Sequence, residues 1–461
     1  MDLFADAASG EETANPIGIS RETKMDQMRA ETEAAQLRRA IAEMQASLSW
    51  RITAPLRLIA RPLFHAMAPK AVPQAAPAAV APVVPPAVPP PVIPPVVPPA
   101  ANLPVKHPEP AATPAKATDS PVCPTLETVS NWYGVNPKFV HAALETFVGA
   151  DYDRNIDNIH KLLDRYESSR IQLEYAFSTN GRGRTLIQQL ARWGVSLDQI
   201  GSGHKTYLDI GCAYGGFLIE FAKHGYDAMG IELSGPLYGR LGKLNLEVSG
   251  CPASIRIGDF LTDDIVTGEQ QFDMITCNDV IEHVSNPETC IHKICRLLKP
   301  GGVAYVASPN KLSIPNVRSD VHFQCFGLTL LDYFRARAAY AMYSGGPNYE
   351  VSDFYEPEWY VSTAKATGVD AEIVFDSEVP QPDIPGEIAM LYTAFADWAK
   401  SGSRKLDPLM RHEITRELAN YSARMFQSYS EHAAHNSMDE FAKRWIYSPT
   451  QLLVRKPQTP R

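Results

Sequence analysis

Acidic residues and glycines in the middle of the chain have the types and spacing that suit a nucleotide-like ligand. A short apolar run contains Asp209 and is followed by Gly211 and Gly215, just before a helical pattern. Glycine there permits positive φ and close approach of the backbone to a ligand, which a side chain would block. A second apolar run ends at Glu232, about twenty residues further on, where a carboxylate can accept hydrogen bonds from both ribose hydroxyls. The pattern predicts a strand, a tight turn and a helix N-terminus around such a ligand.

Two histidines further along the chain are candidates for proton transfer. His283 follows the fourth predicted strand, and His322 lies in a loop after the fifth, two residues from Asp320. An imidazole can take a proton near neutral pH and a carboxylate can orient it. We therefore predict His322 as the general base, Asp320 as its orienting residue and His283 as a second candidate. Structural roles stay open for both histidines, as a residue that shapes a helix start or as an ordinary loop residue.

Alternating apolar runs and helical patterns position these residues. The predicted strands are 207–210, 226–232, 255–260, 272–278, 303–308, 371–375 and 451–455. Such alternation favours a parallel sheet with helices on both faces, so the predicted fold class is α/β, a Rossmann-like doubly wound sheet with helical additions. Residues 126–200 are predicted to form a helical N-terminal cap, in which 180–183 is a turn. The predicted main domain, 201–461, includes a helical insertion at 380–446.

The order of the motifs resembles that of the class I S-adenosylmethionine-dependent methyltransferases. The matching motifs lie within residues 205–310 and are Leu208-Asp209-Ile210-Gly211-Cys212, Gly230-Ile231-Glu232, Gly258-Asp259-Phe260, Asp279-Val280-Ile281-Glu282-His283-Val284 and Leu297-Leu298-Lys299-Pro300-Gly301-Gly302. The resemblance implies S-adenosyl-L-methionine as cofactor and a seven-stranded sheet whose last strand is antiparallel and lies beside the fifth. One residue departs from the pattern, because Ala213 stands where the turn usually has its middle glycine.

The resemblance also implies which residues contact the cofactor. The expected contacts are Asp209 and Gly211 at the methionine moiety, Glu232 at the ribose, Asp259 and Phe260 at the adenine and Asn278 beside the sulfonium, with Cys212, Gly215 and Val280 completing the set.

Composition and spacing argue against several other functions. The spacing after Gly211 does not fit the GxGxxG pattern of nicotinamide-dependent dehydrogenases. A net charge of −9 argues against a nucleic-acid partner, which needs clustered Lys and Arg. The seven cysteines show no zinc-site spacing. Asp279, Glu282 and His283 lie close in sequence but make a weak ligand set, so no metal site is predicted.

The first 125 residues predict an anchoring region joined by a spacer. Residues 1–24 are polar and acidic and predict disorder. Residues 25–66 predict a coiled coil, or a lone amphipathic helix, followed by a basic-aromatic segment suited to a membrane surface or a partner protein. Residues 67–125 are rich in Pro and Ala and predict a disordered linker with polyproline II character. The segment from Ser49 resembles a tail of bacterial surface-polysaccharide glycosyltransferases.

These patterns predict a cytoplasmic enzyme that is peripheral at the inner face of the membrane or bound to a partner. The expected partners are a glycosyltransferase or a second copy of the chain through the coiled coil. No secretory signal and no transmembrane helix are predicted. On the N-terminal resemblance, the preferred acceptor is a sugar hydroxyl of a bacterial surface glycan or its precursor. The alternatives are a small aromatic or quinone-like metabolite as acceptor, or a non-catalytic scaffold in glycan assembly.

Overall fold

The computed structural model of the chain describes residues 123–201, 203–263, 266, 270–346, 349–376 and 381–458. The predicted disordered start, coiled coil, basic-aromatic segment and nearly all of the linker lie outside the described residues and stay predictions. The first described helix begins at Pro124, within the last two residues assigned to the linker.

Seven strands form one sheet at the centre of the described chain. They are β1 (Lys205–Ile210), β2 (Tyr226–Glu232), β3 (Ser254–Ile257), β4 (Phe272–Asn278), β5 (Leu298–Ser308), β6 (Asp370–Val374) and β7 (Thr450–Arg455). Their order across the sheet is β3-β2-β1-β4-β5-β7-β6. The pairs from β3 to β5 are parallel, whereas β7 is antiparallel to both β5 and β6. The predicted fold class and the antiparallel last strand beside the fifth are confirmed.

Four helices connect or cover the strands, namely α6 (Gly216–Lys223), α7 (Arg240–Val248), α8 (Pro287–Leu297) and α11 (Pro357–Lys365). The central strands β1 and β4 are buried along most of their length, as parallel strands covered on both faces are. The start of β5 differs from the prediction. The strand was predicted from 303, but it begins at Leu298, which pairs with Phe272 before a register shift brings Val303 opposite Met274.

Five helices precede the sheet and form the N-terminal cap. They are α1 (Pro124–Tyr133), α2 (Pro137–Phe147), α3 (Ile159–Arg165), α4 (Arg170–Phe177) and α5 (Thr179–Arg192). The apolar faces of the first four share one core, which includes Phe139, Leu144 and Leu173, whereas α5 places Leu186 and Leu190 in a core with the sheet. The core of the first four helices extends to Tyr214 in the β1–α6 turn and Leu241 in α7, so the cap packs directly on the edge of the predicted ligand site.

Residues 180–183 lie inside α5, so the predicted turn there is wrong. Glycine is less favourable than alanine in a helix by about 1 kcal/mol, which is why two glycines in four residues suggested a turn. In the folded chain the missing side chains let α5 pack on α6. A methyl group at Gly183 would lie 2.8 Å from the carbonyl oxygen of Gly216, and one at Gly216 would lie 2.2 Å from that of Thr179. Tertiary packing therefore overrides the local preference.

A second helical body is built from two separate stretches of the chain. Its helices are α9 (Ile314–Arg318) and α10 (Tyr333–Ser344) after β5, and α12 (Ile384–Lys400), α13 (Pro408–Ala434) and α14 (Met438–Trp445) between β6 and β7. Both stretches contribute to one apolar core. The hydroxyl of Tyr421 donates to the carbonyl of Leu312 at 2.7 Å, and Arg335 donates to Glu413 and Glu417 at 2.8 and 2.9 Å. The sequence indicated only the second stretch.

Within the described ranges, no helix has both the length and the apolar character needed to cross a membrane. The 27-residue α13 is long enough but carries charged side chains along its length.

The α5–α6 contact provides a matched pair of substitutions on one helix. Gly183→Ala would place a methyl group 2.8 Å from the Gly216 oxygen and 2.9 Å from Cγ of Glu220. We expect this crowding to lower the free energy of unfolding by about 1–3 kcal/mol. Gly181→Ala, whose methyl would lie 3.7 Å from the Arg184 guanidinium, should raise it by up to about 1 kcal/mol, because alanine favours the helix. Chemical denaturation of both variants measures the difference, and stabilisation by both would contradict the described packing.

Candidate active site

The β1–α6 turn presents its backbone at the carboxyl ends of the central strands. Gly211 and Gly215 have φ values of +68° and +73°. A methyl group at Gly211 would lie 2.3 Å from Cγ2 of Val280, so both the dihedral angle and the available space require glycine there. The N–H of Gly211 donates to the carbonyl of Ile231 at 2.8 Å, which holds the turn against β2.

A hydrogen bond between the backbone of Ala213 and the side chain of Glu232 fixes this turn. Ala213 has a φ of +42°, and its N–H donates to Oε2 of Glu232 at 2.9 Å. The other carboxylate oxygen accepts from the N–H of Ser234 at 2.9 Å. Burial raises the pKa of Glu232, although these backbone N–H groups oppose the shift. Each carboxylate oxygen has a further lone pair, so Glu232 can fix the turn and still accept hydrogen bonds from a ligand.

Asp209 is a buried acid at the base of the turn. Its Oδ1 accepts a hydrogen bond of 2.6 Å from the Thr276 hydroxyl, which lies 2.5 Å from the Tyr207 hydroxyl. Burial raises the pKa of Asp209 to about 7, with Glu232 adding to the shift and the Thr276 hydrogen bond opposing it. Asp209 therefore changes charge near neutral pH, and a nearby positive ligand would favour its ionised form.

Arg182 is a site residue that the sequence analysis missed. Its guanidinium lies 4.2 Å from the ring centroid of Tyr175 and donates to Oδ2 of Asp279 at 2.8 Å. Asn278 donates to the same oxygen at 2.7 Å. Tyr175 lies in α4 and Arg182 in α5, so no spacing within one helix pointed to this pair, and the predicted turn at 180–183 left Arg182 outside any helix. The cap thus contributes a largely buried ion pair to the end of β4.

A cleft of about 330 Å³, counted out to open solvent, lies at these strand ends. It is lined by Tyr175, Thr179, Arg182, Asp209, Gly211, Cys212, Ala213, Gly216, Phe217 and Asn278. Four of the predicted cofactor residues are therefore in its wall. Val280 packs on Gly211, and Glu232 reaches the same turn through Ala213. Gly215 starts α6 just beyond the wall.

Asp259 and Phe260 are not part of this wall. The Asp259 carboxylate accepts from the N–H of Leu261 at 2.7 Å, which folds it back on its own loop. Phe260 is buried in the core between the sheet and α8, with the Lys293 ammonium 4.6 Å from its ring centroid. Their expected contact with an adenine stays a prediction.

Glu282, His283 and His322 meet beyond the end of β4. Nε2 of His283 lies 3.3 Å from Nε2 of His322 and 4.0 Å from Oε1 of Glu282. Nε2 of His322 lies 3.8 Å from the same oxygen. Burial lowers the pKa of both imidazoles, and each is therefore neutral at physiological pH. Because His322 is buried against His283 and Phe354, this packing does not present it to the cleft as a general base.

The predicted orienting role of Asp320 is wrong. Its carboxylate accepts hydrogen bonds from the backbone N–H groups of His322, Phe323 and Cys325, at 2.9 to 3.0 Å. Nδ1 of His322 has no hydrogen-bond partner among the described residues. An Asp side chain often accepts a hydrogen bond from the backbone N–H two residues further along the chain. The Asp320 carboxylate is engaged in such a local turn and is not available to the His322 ring. Asp320 shapes the loop that carries His322.

The sheet topology and a family model both point to a methyltransferase domain. The strand order, with β7 antiparallel between β5 and β6, is the one that the motif resemblance implies. Residues 151–343 match the family model described as a methyltransferase domain. Residues 151–343, less than half of the chain, are therefore similar to a methyltransferase domain.

Curated relatives of this methyltransferase domain include two named ubiquinone biosynthesis O-methyltransferase. The protein of Azoarcus sp. is 35% identical over 112 residues, which are 24% of this chain and 47% of that protein. The protein of Methylococcus capsulatus is 37% identical over 111 residues, 24% of this chain and 45% of that protein. The chain thus spans about half the length of the curated relatives it matches. A solved structure of magnesium protoporphyrin IX methyltransferase from Synechocystis with bound SAH is 14% identical, covers 45% of this chain and 81% of that chain, and gives a TM-score of 0.30.

The residues of the cleft fit S-adenosylmethionine, the cofactor of this family. The bare backbone at Gly211 leaves space that a side chain would fill. Buried Asp209 can supply a negative charge beside a positively charged ligand, and Glu232 keeps lone pairs for two hydroxyls. Ala213 has the left-handed conformation that the usual glycine would adopt, and the roles of these residues toward the cofactor stay predictions.

The conformation of Ala213 predicts a stabilising substitution. A left-handed alanine costs roughly 1–2 kcal/mol, more than the extra unfolded-state entropy of glycine, about 0.5–1 kcal/mol. We expect Ala213→Gly to raise the free energy of unfolding by about 0.5–1 kcal/mol. The matched control is Ala222→Gly in the right-handed α6, which should lower it by a similar amount. Denaturant titrations compare the two variants, and equal destabilisation would show that residue 213 carries no strain.

Proposed function

We propose that this chain transfers a methyl group from S-adenosylmethionine to a hydroxyl oxygen of an acceptor. The observation that carries the proposal is the convergence of Asp209, Gly211 and Glu232 on one cleft at the carboxyl ends of β1 and β2. This edge of a doubly wound sheet is where such folds bind their ligands. The family match supports the same reaction class.

The proposed roles divide the cleft between the parts of the cofactor. Asp209 and Gly211 would hold the methionine moiety, Glu232 the ribose hydroxyls, and Asn278 would lie beside the sulfonium. The cofactor supplies a methyl group that is already activated, so the protein has to position the acceptor oxygen in line and let its proton leave. Arg182 would close the cleft from the cap side, because its ion pair with Asp279 fixes the cap against β4.

The preferred acceptor is a sugar hydroxyl of a bacterial surface glycan or its precursor. The support is the resemblance of the segment after Ser49 to a tail of surface-polysaccharide glycosyltransferases. We also propose that residues 25–66 associate with a surface-polysaccharide glycosyltransferase, with a second copy of this chain or with the inner face of the membrane. The chain would act in the cytoplasm, without a nucleic-acid partner.

A second acceptor class is an aromatic or quinone-like hydroxyl. It is favoured by the names of the curated relatives, which are ubiquinone biosynthesis O-methyltransferases. Each of those matches covers about a quarter of this chain, so the rest of the chain has no counterpart in them. A non-catalytic scaffold in glycan assembly is the remaining alternative.

Cofactor binding should depend on pH through Asp209. Its raised pKa of about 7 means that the carboxyl is protonated below neutral pH and cannot pair with the positive charges of S-adenosylmethionine. We expect the dissociation constant to rise by up to about tenfold per pH unit below 7. Asp209→Asn keeps the oxygen that accepts from Thr276 but should bind weakly at every pH. Calorimetric titration of the full chain from pH 5.5 to 8.5 measures this, and a pH-independent wild-type affinity would contradict the proposed contact.

Methyl transfer should require the same residue and identify the acceptor class. We expect the wild-type chain to form S-adenosylhomocysteine with one of two acceptor sets: nucleotide sugars and surface-glycan precursors, or dihydroxybenzoates. The rate of formation should fall by at least about 100-fold in Asp209→Ala. Asp227→Ala, an exposed aspartate on β2, is the control and should keep full activity. Formation of product with the dihydroxybenzoates alone would contradict the glycan acceptor and support the aromatic one. In cells, a phenotype that persists in Asp209→Ala would instead support a scaffold.

A further inference from the structure

Three potential metal ligands converge beside the cofactor cleft, and the proposed function assigns them no role. They are the carboxylate of Glu282 and the Nε2 atoms of His283 and His322. They come from the end of β4 and from the loop after β5, so the fold brings together residues up to 40 positions apart. All three donor atoms lie within 4.8 Å of one another.

The spacing of the three donor atoms fits one cation. The separations of 3.3, 3.8 and 4.0 Å between the two Nε2 atoms and Oε1 of Glu282 define a triangle. A point in the plane of that triangle lies about 2.2 Å from every corner, close to the usual bond lengths of Zn²⁺ to imidazole nitrogen and carboxylate oxygen. No side chain would need to change rotamer to bring all three ligands within bonding distance.

Glu282 is the observation that points to a ligand. Its side chain is fully buried, and neither carboxylate oxygen has a partner in hydrogen-bonding geometry among the described residues. Ser308 is close enough to lower the pKa of Glu282, but its hydroxyl does not meet hydrogen-bonding geometry with either carboxylate oxygen. A buried carboxyl without a partner is costly. A hydrogen bond between the two histidines would leave this carboxyl unsatisfied, whereas a cation would satisfy all three groups.

The hydrogen bond at the other ring nitrogen prepares His283 as a ligand. Its Nδ1 lies 3.0 Å from the carbonyl oxygen of Glu350, to which it can only donate. In the neutral ring the proton is then on Nδ1 and the lone pair of Nε2 faces His322 and Glu282. Such a bond from the distal nitrogen to a carbonyl is the usual support of a metal-binding histidine. His283 is also the most accessible of the three side chains, at 15% exposed, and offers the entry path.

We propose that Glu282, His283 and His322 bind a divalent transition-metal cation. Two imidazoles and one carboxylate favour Zn²⁺, Mn²⁺, Fe²⁺ or Co²⁺ over Mg²⁺ and Ca²⁺, which prefer oxygen ligands. Three protein ligands leave at least one coordination position open, as in catalytic rather than structural sites.

The position of the site suggests what the open coordination position would bind. The Asp279 carboxylate influences the pKa of both Glu282 and His283, and it is paired with Arg182 in the wall of the cleft. If the proposed function holds, the cation would bind the oxygen of the acceptor hydroxyl and lower its pKa, so that the proton leaves to water. This role deepens the proposed function, whereas cation binding itself stands without it.

The test is metal binding by the full-length chain after removal of metal with a chelator. We expect the stripped wild-type chain to bind one equivalent of Zn²⁺ in a calorimetric titration and to give visible Co²⁺ absorption bands. Affinity should fall by at least about 100-fold in His322→Ala and His283→Gln and at least about 10-fold in Glu282→Gln. His224→Ala, an exposed histidine on the far side of α6, is the matched control and should bind like the wild type. Circular dichroism identifies the folded variants, from which the comparison is made.

Two results would overturn the inference: no cation binding by the stripped wild-type chain, or equal binding by the folded His283→Gln and His322→Ala variants. S-adenosylmethionine is titrated into the same stripped samples, and its affinity should change less than about twofold on metal removal, since the cation lies outside the cleft wall. A chain that binds this cofactor but no cation would contradict the metal site alone. A chain that binds the cation but not the cofactor would contradict the proposed function alone.

Discussion

The ion pair between Arg182 and Asp279 is the interaction on which the arrangement of the site depends. Its guanidinium comes from the helical cap and its carboxylate from the end of β4, and both side chains are largely buried. Each charge would be costly to bury alone, by several kcal/mol, so the two elements are held at the distance that keeps the charges paired. Asp279 has a φ of +56°, a left-handed conformation that is uncommon outside glycine but that Asp tolerates better than most residues.

The two helical bodies both contribute side chains to the same edge of the sheet, where the parallel strands end. On one side, the cap brings Tyr175, Thr179 and Arg182 to the cofactor cleft because α5 packs almost backbone to backbone on α6. On the other side, the loop between α9 and α10 brings His322 to Glu282 and His283. The parallel strands end between these two helical bodies, at the edge of the sheet where doubly wound folds bind their ligands.

The accuracy of the sequence predictions depended on how local their causes were. The ends of β2 and β4 were predicted as observed because each strand is a mainly apolar run that closes on a polar residue, Glu232 or Asn278. β3 ends earlier than predicted, at Ile257, which is 43% exposed at the edge of the sheet. The turn at 180–183 and the orienting role of Asp320 were wrong for a common reason. In both cases the prediction used a local preference and lacked the contact that decides the outcome. For Gly183 this contact is the backbone of the neighbouring helix, and for Asp320 it is three backbone N–H groups of its own loop.

The sequence by itself determined the sheet, the glycine turn and the positions of Asp209 and Glu232. Hydrophobic periodicity and residue spacing are properties of a single stretch of chain, so they can be read without the tertiary structure. The sequence also marked Ala213 as unusual, and the left-handed φ of that residue gives the physical reason. Only the tertiary structure decided that Arg182 faces Asp279 across 97 positions, that His322 meets His283 across 39, and that residues 312–354 share a core with 384–446. Such contacts depend on how separate elements pack against each other, and this packing follows from the fit of side-chain volumes and charges, which no local pattern contains.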